Sequence, residues 1–476
     1  MFSNRALRGL VGQHRISRRD AKIAASAPLA LGSAHSLGAS AGVAALALFL
    51  VLAPAARAAD SGAISEDWSV HGQVTHVWQY HPVFKAPYSG PNSLDPGSRG
   101  NETFDATLYL GFRPWSGAEI WINPEIDQGF GLSNTLGVAG YPSGEAYKVG
   151  KSSPYFRLQR LFFRQTFDLG GAGEATEPDA NQLGGTRTAD NLIITGGKIS
   201  PTDIFDTNVY AHDPKKDFLN WAVIDAGAYD YAADAWGYSY GIAVEWTQAW
   251  WTLRAGLFDL SRVPNTTELE TDFSQFEFVA EAEERHEWWG QPGKLKVLSF
   301  VNRGRFGSYN DAVRLAQLTA SIPNMALVRR YTSRPGVTLN LEQQIEPGLG
   351  LFARASLNDG SKEADEFTEI NSSISIGLSL RGINWDRPND TLGVAGVANS
   401  ISASARAYFA AGGLGILIGD GKLPNYGTEG IFEAYYNAQM TSWLSAGADY
   451  QFIANPAYNP DRGPVSVLGV RLHAEF

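Results

Sequence analysis

The chain closes on Val465-Ser466-Val467-Leu468-Gly469-Val470-Arg471-Leu472-His473-Ala474-Glu475-Phe476, and the reading of this stretch decides the fold. Counted back by twos, Phe476, Ala474, Leu472, Val470 and Leu468 form one set, and Glu475, His473, Arg471 and Gly469 the other. One set is apolar and the other polar or small, the period-two pattern of a strand that meets two different solvents. A soluble sandwich with its apolar face in a core gives the same alternation, so the rest of the chain must decide between them.

Working back through the body, the alternation recurs between turn signals. Phe104, Ala106, Leu108, Leu110 and Phe112 oppose Asp105, Thr107, Tyr109, Gly111 and Arg113. Ile374, Ile376, Leu378 and Leu380 alternate with serines and a glycine, and Leu444 to Phe452 repeats the pattern. About sixteen such segments are readable, an even number as single-chain bacterial barrels require. The connections also alternate. Pro114–Gly117, Gln248-Ala249, Glu346–Gly348 and Thr441-Ser442 are short, whereas His81–Asn101, Glu125–Arg157, Ser200–Gly237, Gly304–Pro335 and Ser402–Thr428 are long. Short turns on one rim and long loops on the other mark a bilayer barrel. Gly170–Asp190 breaks the rule, a glycine-rich link on the side where turns should be short. The expected fold is an all-β transmembrane antiparallel β-barrel of about 16 strands, with long extracellular loops partly folded into the lumen. A terminal aromatic on an alternating strand resembles the sorting signal of such barrels, which makes Phe476 the candidate residue for outer-membrane sorting by the barrel-assembly machinery.

The front of the chain reads differently. Arg5, Arg8, Arg15, Arg18, Arg19 and Lys22 precede the apolar run Ala41–Ala53, and Ala56-Arg57-Ala58 offers small residues for cleavage. This order is that of a secretory signal peptide over residues 1–59, leaving a barrel domain over 60–476. The remainder carries 31 basic and 48 acidic residues. That balance argues against nucleic acid as a partner and suits a surface binding divalent cations among anionic head groups, as in outer-membrane lipid and lipopolysaccharide. With no cysteine there is neither a disulfide framework nor a thiolate site. No cofactor is expected.

In a barrel this wide the polar face lines a wet lumen. Parity sends Arg113, Arg164, Arg254, Arg354 and Glu245 inward. Taken singly, each reads as a solvated lumen charge balanced by others; taken together, some can converge on a constriction, where arginine forks offer paired donors to sugar hydroxyls. The aromatics of the long loops, Trp221 in mid-loop among them, divide between an interfacial girdle and surfaces for sugar rings. Glu281, Glu283, Glu284, Arg285, His286 and Glu287 read as a solvated turn after the eighth strand. No Ser/His or His-Glu-x-x-His frame suggests an enzyme.

Several blocks resemble the carbohydrate-selective porins of the OprB type: Asn123-Pro124-Glu125-Ile126-Asp127-Gln128-Gly129-Phe130-Gly131, Gly137–Gly140, Arg160-Leu161-Phe162-Phe163-Arg164-Gln165, Asp203–Asp206, Asp217–Trp221 and Arg387–Gly393. The resemblance runs from about Asp67 to Phe476. It implies a monomeric outer-membrane barrel that passes small sugars by diffusion, with loops folded into an arginine-bearing constriction. Glu125, Arg113 and Arg164 lie in or beside the matching blocks. The alternatives are a general or ion-selective porin and a secreted polysaccharide-binding β protein.

Overall fold

The structure, a computed structural model, describes residues 65–476, so the expected signal peptide lies outside the described residues. Sixteen strands follow one another: β1 (Trp68–His81), β2 (Arg99–Phe112), β3 (Ala118–Gly129), β4 (Lys151–Thr176), β5 (Gly185–Ile199), β6 (Ser239–Gln248), β7 (Trp251–Asp259) and β8 (Phe276–Trp288). The second half contains β9 (Gln291–Phe306), β10 (Arg330–Glu346), β11 (Leu349–Asn358), β12 (Ser372–Gly382), β13 (Arg387–Ser400), β14 (Glu429–Gln439), β15 (Leu444–Ala454) and β16 (Val465–Glu475). Each pairs with its chain neighbours, and β1 pairs antiparallel with β16, closing the sheet. A closed sheet has no edge of unpaired backbone groups, the condition for crossing hydrocarbon with strands.

The terminal stretch makes the closure. Its register against β1 runs from Tyr80 opposite Leu468 to Gln73 opposite Glu475. Pairing continues to the last residue: Gly72 N–H donates to the Phe476 carbonyl and Phe476 N–H to the Gly72 carbonyl, both at 3.0 Å.

The two faces answer the question left by the alternation. Leu468, Val470 and Leu472 are 45–49 % exposed, and Leu110, Ile242, Leu253, Ile376 and Phe432 share the outer face. Inside, Glu277, Glu433 and Arg334 are fully buried, with Glu281 and Arg354 nearly so. A soluble sandwich would bury the first set and expose the second. Apolar outside and polar inside fits a barrel whose outer solvent is lipid.

Seven connections lie on the short-turn rim. The first is held by Gly117, whose φ of +75° and closeness to the Thr166 carbonyl leave no room for a Cβ. Gly170–Asp190 is not a link but part of a hairpin, because β4 and β5 run on through it and turn at 177–184. The Glu281–Glu287 cluster is likewise no turn: it lies within β8, which pairs with β9 to Trp288 opposite Gln291. On the other rim, three loops carry α-helices: α1 (Trp221–Ile224) in 200–238, α2 (Tyr309–Thr319) in 307–329 and α3 (Ala403–Ala410) in 401–428. Among the described residues no helix is long and apolar enough to cross a membrane.

Candidate functional site

Loop 200–238 turns into the lumen because the wall supplies partners for its backbone, which a buried segment needs. Wall carboxylates take its N–H groups: Glu433 those of Leu219 and Asn220, Glu342 that of Val209 (3.0 Å), Glu281 that of Asp206 (2.8 Å). Wall cations take its carbonyls: Arg471 those of Pro214, Lys216 and Asp217, and Arg354 those of Asp206, Ala211 and Val223. Asn220 caps α1, accepting from Ala222 N–H at 3.0 Å. Phe218 then packs edge-on to Phe352 and Tyr435, and Trp221 stacks on Tyr141 and Phe367 with centroids 5.2 and 4.7 Å apart. Loop 130–150 lies against it, with Ala139 and Gly140 N–H bonded to Glu429.

These loops divide the lumen into two cavities. One, about 390 Å³, is lined by Tyr109, Glu125, Lys148, Arg160, Lys215, Trp221, Trp236 and Tyr238. The other, about 1130 Å³, lies toward the short-turn rim and is lined by Arg113, Glu119, Arg164, Arg187 and Glu245. Asp179, Ala180, Asp203 and His212 line both, so the neck is there. Its cations are paired. Arg160 grips Asp203 with two bonds of 2.6 and 2.7 Å, and Lys215 reaches Asp105 and Glu145 at 3.0 and 2.5 Å; Arg157, which lines neither cavity, meets Asp234 at 2.9 Å and lies 3.4 Å over the Trp236 ring.

In the loops, burial disfavours charge on Lys215 and His212. The carboxylates facing them outweigh it, so both protonate more readily than a free side chain. Lys148 lacks such compensation: burial brings it down to about 8 against the weaker pull of Glu366 and Glu369. Among the described residues no group of three or more His, Asp or Glu is arranged to hold a metal ion.

The expected residues are spread over these regions. Glu125 lines the smaller cavity, accepting from Thr107 and Gln159 at 2.5 and 2.9 Å. Trp221 lines it too, as part of the aromatic stack. Arg113 and Arg164 lie on the wall of the larger cavity and donate to the carbonyls of Gly184 and Asn181. Arg254 is held by Glu245, Glu281 and Glu283 at 2.7–2.9 Å. Arg354 lies beneath loop 200–238, out of the open lumen. Sequence reasoning missed Arg160, Arg157, Lys215, Asp203 and Asp234. Arg160 shares the parity of Arg164 and was readable. Arg157 was not, because a register shift at Asn123–Pro124 turns β4 by one residue between them.

The carbohydrate-selective porin, OprB family, matches residues 91–476 of this chain. The chain belongs to this family. Family and barrel together make the protein a channel of the bacterial outer membrane, a porin for carbohydrates, with the short-turn rim periplasmic. The high-pH structure of Pseudomonas putida OprB matches with a TM-score of 0.66 at 16% identity, covering 86% of this chain and 94% of that one. The outer membrane channel DcaP of Acinetobacter baumannii matches with a TM-score of 0.48 at 10% identity, covering 86% and 97%. No curated protein sequence matches the porin.

Proposed function

We propose that small neutral sugars cross this porin by passive diffusion through the neck at Asp203 and His212, with Arg160 as the arginine that meets the solute. The observation that carries this is the pairing at the neck. Arg160 is neutralised there by Asp203 near the Tyr238 ring, and behind the cavity lining Arg157 is neutralised by Asp234 against Trp236. Paired charges present many hydrogen-bond groups with little net field, which suits hydroxyls better than ions, while aromatic faces suit the C–H side of a sugar ring. Glu125 and Trp221 belong to the same wall. Binding stays weak, since a tight site blocks the flux of a channel.

Arg113, Arg164, Arg254 and Arg354 are assigned supporting roles, holding loops and wall carboxylates in place. The chain works as a monomer after removal of residues 1–59, inserted by the barrel-assembly machinery among outer-membrane lipid and lipopolysaccharide. Liposome swelling tests the reading. Vesicles containing the porin should admit glucose-sized sugars faster than empty vesicles, and Arg160→Ala should raise ionic conductance and lessen its block by added sugar. Equal swelling with and without protein would refute the sugar reading, and sugar block unchanged in the variant would refute Arg160.

A further inference from the structure

The one long turn on the periplasmic rim does not hang into the periplasm. Beyond Gln165 on β4 and before Asn191 on β5, the hairpin has no barrel neighbour, since β3 begins opposite Gln165 and β6 is last paired at Asn191. It continues as a two-stranded arm to Thr176 opposite Gly185, with register shifts around Gly170–Gly173. Gly170 and Gly171 have φ of +131° and +86°, backbone that a side chain would strain, so the bend is written in glycine.

The tip at 177–184 returns into the lumen. Leu183 is 1 % exposed, which a hairpin in solvent would not achieve. Arg164 donates to the Asn181 carbonyl at 2.8 Å, and the Gly184 carbonyl accepts from Arg113 at 3.2 Å and from Glu66 N–H at 3.0 Å. The Asn123 and Asn181 side chains bond at 2.9 Å. Asn123 sits opposite Arg160 in the β3–β4 register, so the tip rises to the level of the neck. Asp179 and Ala180, at its end, line both cavities.

We propose that the turn Asp179–Gln182 is an inner constriction of the channel, the periplasmic side of the neck, which a solute meets as it leaves Arg160 and Asp203. Its class of ligand is the neutral polyol: Asp179, Asn181 and Gln182 offer short acceptors and amide donors, and the two arginines that touch the tip, Arg113 and Arg164, both face Glu119. The proposal rests on the sugar-channel reading for its ligand but not for its geometry. It also explains two inward arginines. Arg113 and Arg164 spend their donors on backbone carbonyls of the tip, so they position the constriction without forming it.

Two variants test this in planar bilayers. Excising 177–184 and joining Thr176 to Gly185 through Asn-Gly shortens the arm to a two-residue hairpin turn and leaves the barrel strands intact. Single-channel conductance should rise about twofold, and disaccharides should enter liposomes faster. The second variant, Ala180→Cys, alters one exposed residue in a chain that has no cysteine, so thiol labelling has no background. A bulky thiol reagent should cut its conductance by at least half and leave the parent untouched. If the excised channel, folded by heat-modifiable migration, conducts like the parent, the inner constriction is refuted. If the excised chain does not fold, the reagent decides alone, and an unblocked Ala180→Cys channel refutes it. Should both effects appear while the parent admits sugars no faster than empty vesicles, the constriction stands and the sugar reading falls.

Discussion

Arg160 and Arg354 carry the same group but belong to different parts of the machine. Arg354, 2 % exposed, holds Asp206 and three carbonyls of loop 200–238. Removing one partner of a buried charged pair costs about 3–5 kcal/mol, because the other charge is left behind unpaired. Arg354→Ala is therefore expected to loosen that loop, seen as faster proteolysis within 200–238 and noisier, larger conductance, with the barrel itself still folded. Arg160→Ala exposes Asp203 to water in an open cavity, so proteolysis should match the parent. If both variants resist protease as the parent does, Arg354 does not pin the loop. Lys148 supplies a pH dependence. Its ammonium, brought down to about 8 by burial, is charged below that pH and loses its charge as pH rises through it. The smaller cavity then becomes more negative, so cation over anion selectivity should increase between pH 7 and pH 9, read from reversal potentials in a salt gradient. Lys148→Met should show the high-pH selectivity already at pH 7 and little further change.

Among the elements, β16 is the most exacting. It has to pair on both sides, with β15 over Leu444–Ile453 and with β1 to the last residue. Deleting Phe476 removes both backbone bonds to Gly72 at the seam. Less protein should reach the outer membrane, and the remainder should be periplasmic and protease-sensitive, measured by fractionation at ordinary expression. Equal insertion would mean that the seam closes without its terminal aromatic. β4 shows the opposite latitude. At 26 residues it outruns its neighbour β3, and its glycine-rich part forms an arm instead of a wall. β8 shows how a charged stretch misleads. Glu281 and Glu283 look like solvent-seeking turn residues, yet alternation points both inward, where Arg254 binds them.

For the whole molecule, a closed sheet with sixteen strands predicts β-type circular dichroism in detergent and a gel mobility that shifts on boiling, since every strand is hydrogen-bonded on both sides until the ring opens. A helical spectrum, or mobility indifferent to heat, would contradict this architecture. The sequence by itself determined the barrel, its strand count to about sixteen, the faces of most of those strands and the family resemblance. Each of these is local and periodic: a period of two recurs along most wall segments, and the rhythm of short and long connections repeats around the ring. Only the tertiary structure decided where the lumen narrows. Glu433, Glu342 and Arg354 look like ordinary inward residues on their strands, and what makes them anchors is a loop more than a hundred residues distant in the chain. Lys215 and Asp203 lie in that loop, where no period marks a side chain as inward. The shift at Asn123–Pro124 and the bend at Gly170–Gly171 each break the parity on which the strand reading rests. A constriction is made where distant segments meet in one space, and alternation along a single strand holds no information about that meeting.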